Sequence, residues 1–446
     1  IYFRIHQGEQ SWIATFSLNI KENQTFIYFA QHFKAKGLPV PEVLAINKEG
    51  TCYIQEDVGT TSLLEVLEKE GKTDHVFSLF KKSLKSLAEL QVKGHQGLDY
   101  QKCLTSKLFG NQSIMSDLLY YKYYFLDSLQ YPYDKQALMN EFELLSDELA
   151  SKDFNYFLFR DFQSRNIMVH NDEVYFIDFQ GGMQGGLSYD VASLLWQAKA
   201  ELSQEWKDQL LAYYIQEVNK LLPQALNEAA FRKQYNGFVL LRLLQVLGAY
   251  GFRGLFERKA HFLASIPLGL NNLKNFLATT DLKKDTPVFA SILQWMVSDE
   301  VVARFTPPIA NEKTALEVTI HSFSYKKGIP VDPTDNGGGF VFDMRGILNP
   351  GRFDDYKKLS GLDKPVQDFL EQKTKMNVFL NSVWDLVDIN VEDYLKRGFA
   401  SLQINFGCTG GQHRSVFAAE QTARHLRNKY KVKVNLVHTN KENWVK

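Results

Sequence analysis

The stretch Phe159-Arg160-Asp161-Phe162-Gln163-Ser164-Arg165-Asn166, followed after a short apolar run by Ile177-Asp178-Phe179-Gln180, decides how the rest of the chain is read. Phosphoryl transfer asks little covalent help of a protein. It needs a carboxylate beside the attacking hydroxyl and oxygen ligands that hold a divalent cation against phosphates. An Asp and an Asn five positions apart on one loop, with a second Asp at the end of the next strand, supply those parts. Asp161 would orient or deprotonate the hydroxyl, while Asn166 and Asp178 would ligate Mg²⁺. R-D-x-x-x-x-N alone reads more readily as a set of polar turn residues, and the second Asp behind an apolar strand reverses that preference.

Working outward, residues 2–6 and 11–16 alternate like strands, and 21–36 read as a helix stopped by Pro39 and Pro41. Residues 52–57 predict a strand running into a loop at Gly59. From 62 to 148 and again from 189 to 303 the apolar spacing is helical, with a strand–loop–strand section at 156–179 between them. Pro307 and Pro308 make 306–313 a linker. Beyond it, strands at 316–320, 340–343, 401–406 and 432–437 alternate with helices at 365–397 and 415–428, the texture of a smaller α/β domain.

The 446 residues suggest two or three domains. Basic and acidic residues balance at 51 each, and residues 314–446 hold 19 basic against 15 acidic, too small an excess to argue for nucleic acid. Cys52, Cys103 and Cys408 are scattered and odd in number, so no disulfide framework follows and a reducing cytoplasm is the expected compartment. No run approaches 18 consecutive apolar residues, so neither a membrane-spanning helix nor a membrane partner is expected. Residues 1–5 read as the middle of a strand, which places any glycine-rich phosphate loop before Tyr2 and outside the sequence.

FRDFQSRNIM (159–168) and FIDFQGGMQGGLSYDVASLL (176–195) resemble the aminoglycoside-phosphotransferase-like kinases. The likeness is greatest to bacterial kinases that phosphorylate N-acetylmuramate and N-acetylglucosamine at the anomeric hydroxyl in cell-wall recycling. ENQTFIYFAQHFKAKGLPVPEVLA (22–45), YIQEDVG (53–59) and LLQVLGAYGFRG (243–254) fit the same pattern. The resemblance implies an α+β, bilobal, protein-kinase-like domain over 1–305, with an N-lobe at 1–58 and a C-lobe at 59–305. It implies ATP and Mg²⁺ as cofactors, Asp161 as the catalytic carboxylate, and Asn166 and Asp178 as metal ligands. Asp190 would be a structural acid behind the loop, and Glu56, Asp57 and Val58 would line the adenine pocket. Phe159 stands where the family commonly has His, and the strand Trp12-Ile13-Ala14-Thr15-Phe16 carries no phosphate-pairing Lys. Arg4 or Lys21 would then have to neutralise the triphosphate.

A second constellation follows Gln403-Ile404-Asn405-Phe406, where Gly407-Cys408-Thr409-Gly410-Gly411-Gln412-His413-Arg414-Ser415 runs into a helix. Strand, glycine-rich turn and helix N-terminus aim backbone N–H groups at one spot, and Arg414 adds a fork for phosphate oxygens. Cys408 and Arg414 also satisfy the C-x₅-R spacing of cysteine-dependent phosphatases, with Asp343 the one candidate acid. The plain alternative is a buried Cys at a strand end with a purely topological turn.

SFSYKKGIP (322–330), FVFDMRGILNPGR (340–352), SGLDKPVQDFL (360–370) and GCTGGQHRSVFAAEQTARHL (407–426) resemble the C-terminal domain of RapZ-type RNase adaptor proteins. The resemblance implies a sugar-phosphate pocket in 314–446 made by Asp343, Arg345, Cys408, Thr409, Gly410, Gly411, Gln412, His413 and Arg414. The leading expectation is a sugar kinase acting on an amino sugar, fused to a domain that binds an amino-sugar phosphate. The rival is a kinase-like scaffold serving as a metabolite-sensing adaptor for RNA or protein. Tyr120, Tyr121, Tyr123, Tyr124 and Phe125, with Trp196 and Trp384, read as packing residues, and His425 and His438 as surface or capping residues.

Overall fold

Four antiparallel strands open the computed structural model: β1 (Tyr2–Gln7), β2 (Gln10–Phe16), β3 (Val43–Ile46) and β4 (Cys52–Glu56), in the order β1-β2-β4-β3. The described residues are 1–8, 10–150, 155–282, 286–334 and 338–445, without the side chains of 260 and 261. Between β2 and β3 runs a helix, Ile20–Lys34, whose first turn is capped by the Asn19 side chain accepting from Glu22 N. Phe26, Phe29 and Phe33 recur at helical spacing and are buried. Phe26 stacks on Phe179 with centroids 4.7 Å apart, which sets this helix against the loop that carries Asp178. β3 is absent from the sequence reading, because four residues behind two prolines are too few for alternation to register.

β5 (Thr61–Ser62) leads into a helix, Leu63–Glu70, that Ser62 and Glu65 close as a reciprocal capping box. Longer helices follow at Asp74–His95, Asn111–Tyr121 and Lys135–Leu149. Then come β6 (Asn155–Leu158), β7 (Ile167–His170), β8 (Glu173–Phe176) and β9 (Met183–Gly186). β5, β7 and β8 form one antiparallel sheet; β6 and β9 form a two-stranded ribbon. β9 is also missing from the sequence reading. Its Gly186 is there for contact, since a Cβ would lie 2.8 Å from the Phe238 ring.

Residues Glu228–Phe256 correct one expectation. They form a helix long and apolar enough to cross a membrane by length and composition, its 18-residue apolar window having a mean hydropathy of 1.3. Asn236, Arg242 and Gln245 interrupt the run and hide it from a count of consecutive apolar residues. The apolar window is 61% buried inside the fold, where the helix packs against Asn111–Tyr121 and Ser188–Leu195.

The chain divides into two compact units, Ile1–Val302 and Ala303–Lys446. In the second, β10 (Glu317–Ser324), β11 (Phe340–Asp343), β12 (Ser401–Cys408) and β13 (Lys433–His438) make an all-parallel sheet in the order β11-β12-β10-β13. Ala310 N donates to Tyr430 O at 2.8 Å, so this part of the proline-rich stretch is tied to the second unit. The helix expected over 365–397 is two, Lys364–Lys373 and Met376–Arg397, broken where Thr374 is extended. β12 runs two residues further than its apolar pattern predicts, so Cys408 is its last residue. The element order is the one expected: an antiparallel sheet followed by a mainly helical lobe, then a smaller α/β domain with a parallel sheet.

Candidate functional site

One amide, that of Asn166, links the main chain of Asp161 to the Asp178 carboxylate. Asn166 Nδ2 donates to Asp161 O (2.9 Å) and to Asp178 Oδ2 (3.3 Å). Asn166 is buried and Asp178 is exposed. Because Asn166 spends its nitrogen on these bonds, its Oδ1, the atom a hard cation takes, has no partner among the described residues. Among those residues no three His, Cys, Asp or Glu side chains gather as a metal site. Asp178 and Asn166 are therefore the donors offered, and a cation of the Mg²⁺ type commonly takes one or two protein ligands beside phosphates and water.

The loop is held by buried groups behind it. Asp190 is fully buried and accepts from Phe159 N (2.8 Å), Arg160 N (3.0 Å) and Gln91 Nε2 (3.0 Å). Burial pushes its carboxyl up to about 7, against the pull of those three donors. Arg160 donates from Nη2 to both Asp117 oxygens (2.8 and 2.9 Å) and from Nη1 to Tyr189 Oη (2.8 Å). Arg160 (φ +81°) and Asp178 (φ +69°) both lie in the left-handed region that side chains avoid. Two strained positions flank the convergence point. Phe159 is wholly buried, edge-on to Phe162 at 5.2 Å, so the position where the resemblance anticipates His belongs to an aromatic core.

Gln180 and Glu22 escaped the sequence reading. Gln180 Nε2 donates to Asp178 Oδ1 (2.9 Å) and to Glu22 Oε1 (3.3 Å), tying the helix Ile20–Lys34 to the Asp178 loop. The signal was a polar residue two beyond Asp178; its remote partner was not in the sequence pattern.

The nucleotide-side residues are partly committed to the fold. Arg4 donates to Asp57 (Nε–Oδ2 2.6 Å, Nη2–Oδ1 3.1 Å) and to Gly59 O (3.0 Å), so its fork holds the β4 exit loop. The Asp57 carboxyl is desolvated, yet Arg4 and further donors keep it below its ordinary range. Glu56 accepts from Lys34 (2.8 Å), and its N–H goes to Glu42 O (2.9 Å). Val58 is buried and Lys21 exposed.

In the second unit the residues expected to bind an anion, Cys408 to Arg414, lie at and just beyond the end of β12. Asp343 pairs in register with Gly407, and Arg345 donates to it from Nε and Nη2 (2.9 and 2.7 Å). That pairing holds the Asp343 carboxyl below its ordinary range. The Arg345 guanidinium lies 4.2 Å over the Tyr325 ring. Carbonyls of the loop are drawn outward: Thr409 O accepts from Ser324 Oγ (2.7 Å), Gly410 O from Asn440 Nδ2 (2.7 Å), Gly411 O from Trp444 Nε1 (2.8 Å) and Gln412 O from Gly361 N (2.9 Å). The N–H groups of Gly410, Gln412 and His413 have no acceptor among the described residues. Gly411 has φ +64°, and a Cβ there would press on Ser324 N at 3.0 Å.

Two expected pocket side chains serve the fold. Gln412 exchanges bonds with Val445 and donates to Leu359 O (2.8 Å), and His413 Nε2 meets Tyr356 O at 2.9 Å. Two histidines expected at the surface are corrected as well. His425 is stacked on Trp384 at 4.6 Å and bonded to Asp388, and His438 sits between Ser322 and Glu420.

Two family models match the chain: one described as the phosphotransferase enzyme family over residues 2–226, the other as the RapZ C-terminal domain over 316–442. Curated relatives include a nucleotide-binding protein of Shewanella halifaxensis, 37% identical over 127 residues, which are 28% of this chain and 43% of that one. A nucleotide-binding protein of Endomicrobium trichonymphae is 37% identical over 137 residues, covering 30% and 46%. The chain thus spans about half the length of the curated relatives it matches. Among solved structures, choline kinase LicA from Streptococcus pneumoniae aligns with 62% of this chain and 89% of its own, at 14% identity and a TM-score of 0.42.

Proposed function

Because the chain belongs to the phosphotransferase enzyme family, we propose that its first unit transfers the terminal phosphoryl group of ATP to a hydroxyl of a small acceptor, an amino sugar of the N-acetylhexosamine type. The observation that carries this reading is the Asn166 amide, which ties the Asp161 backbone to the Asp178 carboxylate and so holds the two loops side by side. Asp178 and the free Oδ1 of Asn166 would hold Mg²⁺, which when bound neutralises charge on the transferring group. Asp161 would accept a hydrogen bond from the acceptor hydroxyl and take its proton as the new bond forms. Asp190 keeps the loop in register by accepting from Phe159 and Arg160. The amino-sugar class rests on the resemblance alone, and a cytoplasmic setting on the scattered, odd-numbered cysteines.

The second unit would bind a sugar phosphate at the β12 loop, with the free N–H groups and Arg414 facing the phosphate and the Arg345–Tyr325 face beside the sugar. Feedback from that ligand to the first unit would need two states that both ligands bias.

One observation favours a second reading. β2 carries no lysine and Arg4 is occupied by Asp57, so the chain would act as a metabolite-responsive adaptor for RNA or protein without turnover. The two separate in one assay: purified chain with ATP, Mg²⁺ and a panel of N-acetylated hexosamines, followed by phosphorus NMR. Product that disappears in Asp161→Ala establishes the kinase. Tight binding of glucosamine-6-phosphate with no product from any sugar establishes the adaptor, and RNA retardation that weakens steeply with salt would identify its partner.

A further inference from the structure

Arg414 is anchored by one nitrogen and left idle at another. Its Nη1 donates to the carbonyls of Arg345 (3.1 Å) and Ile347 (2.8 Å). Its Nε is buried without a partner, although the residue is only 5% exposed. The Nε–Nη2 edge of a guanidinium is the fork that matches two oxygens of a phosphate. The Arg345 carbonyl that Arg414 binds lies two residues beyond Asp343, which pairs with Gly407 beside Cys408, so the side chain is held at the edge of the cradle.

Cys408 forms the floor of that cradle. Gly411 N–H donates to its Sγ at 3.2 Å, and Ser415 Oγ lies 3.1 Å from it. The helix Arg414–Tyr430 begins just beyond, with its positive end toward the loop. A cysteine kept only for packing accounts for its burial. It does not account for two hydrogen-bonding groups on sulfur beside a buried arginine with an unused nitrogen.

We propose that this loop hydrolyses small phosphomonoesters, with Cys408 as the nucleophile and Arg414 as the clamp on the phosphoryl oxygens. The proposal rests on the sugar-phosphate reading of this loop and adds a covalent step to it. The Cys408 thiolate forms an S–P bond as the ester P–O bond breaks, and the leaving oxygen departs as an alcohol with the proton that the ester monoanion carries. Asp343 is not needed as an acid, and its pairing with Arg345 keeps it a carboxylate. Water then attacks phosphorus, the S–P bond breaks with Ser415 Oγ–H donating to the departing sulfur, and dihydrogen phosphate leaves. Cys408 is only 2% exposed, which restricts the reaction to groups small enough to enter the loop.

The test uses the full chain without ATP, and p-nitrophenyl phosphate and glucosamine-6-phosphate as probes. Wild type is expected to release inorganic phosphate and, on acid quench, to carry a phosphoryl group on the peptide containing Cys408. Cys408→Ser should lower release at least ~100-fold and leave no phosphoryl group on that peptide. Ser415→Ala should retain binding and accumulate the phosphoryl adduct. Binding of glucosamine-6-phosphate with no release from either ester overturns the covalent step and leaves the binding reading intact. Neither binding nor release overturns both.

Discussion

Gln180 donates its side-chain amide to Glu22 at 3.3 Å, across 158 positions of sequence. The same nitrogen reaches Asp178 Oδ1 at 2.9 Å, so one polar side chain couples the helix Ile20–Lys34 to a candidate metal ligand.

Removing that coupling should slow turnover without unfolding the chain. Gln180→Ala is expected to lower kcat about tenfold, with a smaller change in KM for ATP, because it disturbs the position of Asp178 more than nucleotide contact. Gln180→Glu should be worse, since it sets a third carboxylate between Asp178 and Glu22. Steady-state kinetics with circular dichroism as the folding control decides the matter; unchanged kcat in both variants would remove Gln180 from the machinery.

Asp178 should show opposite effects on stability and activity. Its φ of +69° is strained for a residue with a side chain, and the side chain is exposed. Asp178→Gly is expected to raise unfolding free energy by ~1 kcal/mol while lowering phosphoryl transfer on the order of a thousandfold. Urea melts and product assays on one preparation check both signs.

Asp388 predicts a pH dependence. Burial works against its charge, but bonds from His425 and Lys429 hold its carboxyl below the ordinary range. A depressed carboxyl contributes stability that is present above the unfolded-state value and lost as pH falls through the folded-state one. Asp388→Asn should therefore cost about 1–3 kcal/mol at pH 7, and the difference from wild type should shrink as pH falls below about 4. Denaturant melts at both pH values measure it; a constant difference would mean that the carboxylate charge contributes nothing.

Gly251 tests packing without backbone strain. Its conformation is ordinary right-handed helix (φ −60°, ψ −55°), yet a Cβ would fall against Tyr124 O. Gly251→Ala should lower stability by ~2–3 kcal/mol through that overlap, where an alanine in an open helix would raise it. A melting temperature equal to or above wild type would show that the segment Gly251–Phe256 can shift away.

Legibility followed the range of the interaction. β1, β2, the first helix and the strands of the second unit were readable because the residue types that mark them lie within each element, even where burial does not alternate, as in the exposed β1 and the buried β12. β3 and β9 were not: one is four residues behind prolines, the other is held by contacts that Phe238 and β6 provide from elsewhere. Likewise Asp161, Asn166 and Asp178 stood in the sequence as spacing, while Gln180–Glu22 and Arg4–Asp57 needed distant segments to meet.

What the chain's order of residues determined alone was the donor chemistry: two carboxylates and an amide on one short strand–loop–strand section, and a cysteine six positions before an arginine after a parallel-type strand. Which of those groups are free for a ligand was decided only by tertiary structure. Arg4 and Arg414 are the same residue type in sequence. One has its fork filled by Asp57 and Gly59; the other is anchored at Nη1 and keeps an unpartnered Nε. The reason is physical: a hydrogen-bonding group is satisfied by whichever partner folding brings within about 3 Å, and that partner is set by the path of the whole chain.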